Sequence, residues 1–171
     1  SGSAPIAHYV ATRCGVNIFE TGTKNPGTAN VYRTIGKLPG TVVFLGDVTK
    51  GVVPILLSIL ADMPSWFYIV VGFATVTGHW FPVFLKFRGG AGLATAIGIT
   101  YAIMPITSLI GTPFVLIALY LSHNTAWSAV LGYTVFIISA YFLDFNMVQT
   151  VAIVCLTGLT AIRQQFIPTS H

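Results

Sequence analysis

Charge is what this sequence has least of. Four acidic and eight basic residues make up 7% of a chain of 171, where soluble domains carry about 25% charged residues. So few charges cannot clothe a water-facing surface, and a soluble globular fold is excluded. Cysteine is equally scarce. Cys14 and Cys155 share no metal-like spacing, and both read as small packing residues rather than a disulfide. His8, His79, His123 and His171 are too scattered for a metal site, so neither metal nor cofactor is expected. Methionine is missing from position 1. On that ground the chain is expected to lack its true start, with part of a first span or a signal.

In place of charge there is apolar bulk: 54% of residues are hydrophobic and the mean hydropathy is +0.82. The apolar runs are helical in length and too continuous for the alternating pattern of a membrane barrel. The predicted fold class is all-α, a polytopic integral membrane protein of about seven transmembrane helices, the first one trimmed. Residues 1–16 read as the cytoplasmic end of that first helix. Spans are predicted over 41–61, 66–85, 93–110, 126–143 and 147–162, with a tight turn at 62–65. Gly111-Thr112-Pro113 is expected to break the fourth span, and residues 114–121 are too short to cross alone at about 1.5 Å per residue.

A net charge of +4 would suggest nucleic acid in a soluble protein. Here the position of the charges matters more, and the expected partner is the lipid bilayer, with no nucleic acid. Arg13, Lys24, Arg33, Lys37, Lys86, Arg88 and Arg163 fall at loops or ends of one parity, and Asp62 and Asp144 at the opposite turns. The bias of basic residues toward the cytoplasm places both glycine-bearing loops and the C-terminus there, with the N-terminus outside. Residues 1–171 read as a single membrane domain. No internal repeat is visible, which counts against a transporter of small anions built from two halves.

The longest polar stretch is Thr21-Gly-Thr-Lys-Asn-Pro-Gly-Thr-Ala-Asn-Val-Tyr-Arg33. Thr23, Lys24, Asn25, Thr28, Asn30 and Arg33 bring hydroxyls, amides and two cations. Gly22 and Gly27 let backbone N–H groups approach a ligand, and Pro26 stiffens the loop. With Glu20 the nearest acid, these donors suit an anion, phosphate above all. A lone loop of this kind is equally a solvated link between two helices; a second one further on tips the balance. Lys86-Phe-Arg88-Gly89-Gly90-Ala91-Gly92 precedes a predicted helix, whose free N–H groups and dipole favour an anion. Thr95 adds a hydroxyl. His79 is either a general base or phosphate ligand, or an interfacial histidine at a helix end. Asp47 and Lys50, three apart within a span, share a helix face. Charge in hydrocarbon is costly, so the pair is expected to face the bundle, either as a packing ion pair or as part of a site.

In order along the chain, these stretches resemble one family. Gly2-Ser3-x-Pro5, Gly22-Thr23-x-Asn25-x-Gly27-x-x-Asn30-Val-x-Arg33-x-x-Gly36, Asp47-x-x-Lys50-Gly51, and Gly78-His79 through Gly92 to Ala94-Thr95 are similar to the bacterial acyl-phosphate:glycerol-3-phosphate acyltransferases, the PlsY family. The likeness is strong from Ser1 to Thr95 and fades afterwards. It implies a seven-helix enzyme of the bacterial cytoplasmic (inner) membrane with its site at the cytoplasmic face. Its substrates would be acyl phosphate and glycerol 3-phosphate, acylated at the 1-hydroxyl, and its products lysophosphatidic acid and phosphate. Both substrates carry phosphate, and acyl phosphate is already activated, so electrostatic positioning supplies most of the catalysis. A substrate phosphate can itself serve as the base.

By the resemblance, Thr23 and Arg33 fall where the family has an essential serine and arginine, and Gly89, Gly90 and Gly92 in the loop linked to glycerol phosphate. The candidate catalytic residues are Thr23, Arg33 and His79. The candidate substrate-binding residues are Ser3, Lys24, Asn25, Gly27, Asn30, Lys50, Arg88, Gly89, Gly90, Gly92 and Thr95. Four positions depart from the family pattern. Thr23 replaces serine but keeps a hydroxyl, Ala91 replaces a lysine, and Leu119 stands where the family has arginine. Ile162-Arg163-Gln164-Gln165 stands where the family has His-Arg-x-Asn followed by glutamate. The alternative reading is a non-catalytic relative, a lipid-binding or accessory subunit with partners in a larger membrane complex.

Overall fold

The computed structural model describes residues 2–122, 125–143 and 146–166, with the backbone alone at 122, 125–127, 129, 130 and 165. The turn expected at Asp144, and His123 and His171, lie outside the described residues. Every element among the described residues is helical: α1 Ile6–Arg13, α2 Thr28–Thr34, α3 Lys37–Leu60, α4 Ser65–Trp80, a 3-10 turn at Val83–Leu85, α5 Leu93–Ile103, α6 Pro105–Ser122, α7 Thr125–Phe142 and α8 Met147–Phe166. Among the described residues, three stretches are long and apolar enough to cross a membrane: Lys37–Leu60, Ser65–Leu85 and Met147–Gln164. The shorter α5, α6 and α7 are apolar as well. Large apolar side chains face outward, among them Leu60, Tyr120 and Phe142, as in a multi-pass membrane protein with lipid as its solvent.

Prolines decide where the helices stop, and they correct two expected boundaries. The span expected over 93–110 ends at Ile103. Pro105 disfavours helical geometry in the residue before it, and Met104 sits at φ −133, ψ 68. Gly111-Thr112-Pro113, expected to break the chain, lies inside α6. There the Thr112 hydroxyl donates to Ser108 O at 2.8 Å and meets the Tyr101 hydroxyl, and the helix runs on past Pro113. Residues 114–121 are therefore the second half of an 18-residue helix. Pro82 also ends the α-helical part of α4 at Trp80 by pulling Phe81 to φ −124, ψ 61, but the apolar span runs on through the 3-10 turn to Leu85, the expected limit. The polar stretch expected to run as a loop to Gly40 contains α2, and α3 begins at Lys37.

The central contact is α3 against α5. It is close because each helix presents a glycine to the other's backbone: Gly51 lies against the carbonyl of Thr95, and Gly98 against that of Val48. A Cβ at either position would collide with main chain, which cannot move aside as a side chain can. Small residues of this kind let membrane helices approach without a hydrophobic drive. A buried cluster of Ala7, Ala11, Ile18, Val31 and Val43 fastens α1 and α2 to one end of α3. Ile55, Val76, Ile99 and Leu156 tie α3, α4, α5 and α8 together further along.

Gly51→Val or Gly98→Val is expected to lower stability by about 1–3 kcal/mol through overpacking. Gly158→Ala, with no neighbour within 4 Å of its added methyl, should match or exceed the parent. Thermal unfolding in detergent checks both.

Candidate functional site

The first polar loop is folded around one amide. Asn30 is 2% exposed, and its Nδ2 donates to Thr21 O and Asn25 O at 3.0 Å each and more loosely to Ile18 O at 3.5 Å. Its Oδ1 accepts the Thr23 N–H at 3.0 Å. Asn30, a candidate substrate ligand by sequence, thus holds the loop's own backbone in shape. Two other side-chain atoms there, Asn25 Oδ1 and Thr28 Oγ1, are buried and have no partner among the described residues. Buried polar atoms are rarely left so, and where they are, a missing ligand or water is a usual reason. Arg33, in the last turn of α2, makes no ion pair or hydrogen bond among the described residues and is exposed.

Facing this loop is the buried ion pair. Lys50 Nζ lies 2.9 Å from Asp47 Oδ1, with side chains 6% and 5% exposed, and donates to Ala4 O at 3.1 Å. The pair faces the bundle, as charge in a span should. His79, in the last turn of α4, is buried, with Nδ1 3.4 Å from the hydroxyl of the fully buried Thr95. Between these groups and Gly89 and Gly90 lies a pocket of about 10 Å³, room for roughly one water.

The second loop closes the site. Gly92 precedes α5 in left-handed geometry at φ 89, where a side chain would be strained. The loop lies against His79 on one side and Pro26 of the first loop on the other, both next to Gly90. Behind it stand Trp80, whose Nε1 donates to Ala91 O at 2.6 Å, and Arg163 of α8. The Arg163 Nε donates to Gly90 O at 3.3 Å and its NH2 to Trp80 O at 3.2 Å.

The two loops enclose a cleft of about 460 Å³. Of the sequence candidates it is lined by Asn25, Gly27, Arg33, His79 and Gly92, together with Thr28 and Asp47. Lys50, Gly89 and Gly90 line the smaller pocket behind it, and Thr95 reaches it through His79. Besides Thr95, five candidates line neither the cleft nor the pocket behind it, Asn30 among them. The Ser3 hydroxyl donates to Gly78 O at 3.4 Å, Lys24 is exposed, and Thr23 engages the cleft only through the Asn30 turn. Arg88 stacks on Phe19, its guanidinium 4.6 Å from the ring centroid. Sequence reasoning missed Tyr32, Phe44, Ile97 and Gln164, which also line the cleft, and missed the part played by Trp80 and Arg163.

A model of the family described as glycerol-3-phosphate acyltransferase matches residues 1–166. The chain belongs to the glycerol-3-phosphate acyltransferase family. Glycerol-3-phosphate acyltransferase 5 of Dehalococcoides mccartyi is 44% identical over 110 residues, 64% of this chain and 47% of that protein. The enzyme of that name from Geotalea daltonii is 40% identical over 63% of this chain and 56% of its own length, so the chain spans about half of these two relatives. The one from Endomicrobium trichonymphae is 34% identical over 85% of this chain and 73% of its own. Among solved structures, PlsY, an integral membrane glycerol 3-phosphate acyltransferase crystallised in its glycerol 3-phosphate form, superposes with a TM-score of 0.85 at 27% identity. That match covers 96% of this chain and 83% of PlsY. Within this acyltransferase fold, Ala91 borders the cleft. It is 6% exposed and places a methyl at the wall of the cleft.

Removing one partner of a buried ion pair leaves the other uncompensated, at a cost of about 3–5 kcal/mol, whereas an apolar or neutral replacement of both costs less. Lys50→Met and Asp47→Asn should each lower the unfolding temperature strongly. The double variant should recover much of the loss, as thermal unfolding of all three in detergent would register.

Proposed function

We propose that this chain transfers a fatty acyl group from acyl phosphate to the 1-hydroxyl of glycerol 3-phosphate, giving lysophosphatidic acid and inorganic phosphate. The observation that carries the reading is the cleft itself. An unpaired Arg33, the orphaned Thr28 hydroxyl and the glycine loop converge on one space, and both substrates bring a phosphate for them to hold. The glycerol oxygen attacks the acyl carbon, the bond from that carbon to the phosphate oxygen breaks, and phosphate departs with the electron pair. The hydroxyl proton ends on the released phosphate, either directly or through His79. Tyr32, Phe44 and Ile97 offer the acyl chain an apolar wall. Residues 1–171 act as one membrane unit in this reading. The loops and the C-terminus face the cytoplasm of a bacterial inner membrane, supported by the basic residues gathered at that end.

Arg33 is the residue expected to hold a phosphate with a forked pair of hydrogen bonds, a geometry lysine cannot supply. Purified protein given acyl phosphate and labelled glycerol 3-phosphate should form lysophosphatidic acid. Arg33→Lys should lose about 30- to 1000-fold in rate while staying folded, and Arg33→Ala nearly all activity, since one such contact is worth ~2–4 kcal/mol. Full turnover by Arg33→Lys would remove Arg33 from the site. No turnover by the parent, with or without Ala91→Lys, would favour the non-catalytic alternative.

A further inference from the structure

A loop of three glycines has no stiffness of its own, since glycine populates both signs of φ and its peptide planes can turn over. Something outside the loop must fix which way its N–H groups point. A trans peptide is rigid and planar, with the C=O of one residue directed opposite to the N–H of the next. Two consecutive planes of this loop are held by their carbonyls. Arg163 Nε takes Gly90 O at 3.3 Å, which turns the Ala91 N–H the other way. Trp80 Nε1 takes Ala91 O at 2.6 Å, which does the same for the Gly92 N–H. Neither N–H has a partner among the described residues, and both residues line the cleft.

The holders are themselves held. The guanidinium of Arg163 lies 5.2 Å from the Trp80 ring centroid and 5.1 Å from that of Phe81. Its second arm caps the last carbonyl of α4, Trp80 O, at 3.2 Å, where a helix end favours a cation. Trp80 is thus both the floor for the guanidinium and the second clamp. The arrangement matters more here because Ala91 brings no cation of its own.

We propose that Arg163 and Trp80 are positioning residues that aim the backbone N–H groups of Ala91 and Gly92 into the cleft to bind a substrate phosphate. The identity of that phosphate as glycerol 3-phosphate rests on the proposed acyl transfer; the aiming of the amides does not.

The test is equilibrium binding of labelled glycerol 3-phosphate and of inorganic phosphate to purified protein, alongside KM for each substrate and the unfolding temperature. Arg163→Met keeps the stem and removes the fork, and is expected to weaken binding of both anions about tenfold or more. The KM for glycerol 3-phosphate should rise while that for acyl phosphate stays near the parent's. Arg163→Lys, a point charge without the planar fork, should recover only part of the loss, and Trp80→Phe should behave like a milder Arg163→Met. Unchanged anion binding in a folded Arg163→Met, or equal rises in both KM values matched by a lower unfolding temperature, would overturn the inference and leave the acyl-transfer reading intact. A parent that binds phosphate in an Arg163-dependent way but transfers no acyl group would overturn the function and uphold the inference. A parent that binds neither anion would overturn the inference.

Discussion

The site depends on how closely α3 and α5 approach. Gly51 and Gly98 set two backbones in direct contact, and that contact fixes where the ends of both helices lie. It places Asp47 and Lys50 on α3 beside the Thr95 turn of α5, with His79 of α4 filling the remaining gap. A wider crossing would let lipid or water reach the ion pair. The pair's worth in a bilayer depends on excluding the former and controlling the latter. Packing, through two missing side chains, is therefore what makes the electrostatics of the site workable.

On that platform the two loops divide the work. The first is shaped by Asn30, whose amide donates to Thr21 O and Asn25 O and accepts the Thr23 N–H, while Thr28 and Arg33 border the cleft. The second has no comparable side chain of its own and takes its shape from Trp80 and Arg163 behind it. Donors that are fixed before a substrate arrives cost no reorganisation during reaction. That suits a transfer in which the acyl donor is already activated and charge must be held rather than created. By the resemblance read from the sequence, the family carries a lysine where this chain has Ala91. Here the same part of the cleft wall carries only a methyl and its backbone.

Much of this was legible in the sequence, for stated reasons. The scarcity of charge gave a helical membrane protein, and the similarity of the polar stretches to one family pointed to the glycerol-3-phosphate acyltransferases. The spacing of Asp47 and Lys50 gave a buried pair facing the bundle, as found. What failed were boundaries set by proline. Pro105 ends a helix, with Met104 before it pulled out of helical geometry, whereas Pro113 lies inside one. The role of Arg163 was hidden because it acts across 73 positions on Gly90 and 83 on Trp80, and that of Trp80 because it is tied to Arg163. A lone tryptophan at a helix end and a lone arginine in a last helix have many ordinary uses at a membrane surface. The signal available was weak: Trp80 directly follows His79, and Arg163 is the one basic residue of its helix. Asn30 looked like a ligand because an amide in a glycine loop serves a substrate and a backbone equally well.

The central claim is that both loops form one phosphate-binding cleft. Site-directed thiol labelling tests it most directly, in a background where the exposed Cys14 and Cys155 are replaced by serine. Ala29→Cys on the first loop's helix and Ile97→Cys on α5 each place a thiol in the cleft wall at an exposed position. Glycerol 3-phosphate should slow maleimide labelling of both, glycerol should slow neither, and both should be reached from the same side of the membrane. Protection of one thiol without the other, or labelling of the two from opposite sides, would contradict the account.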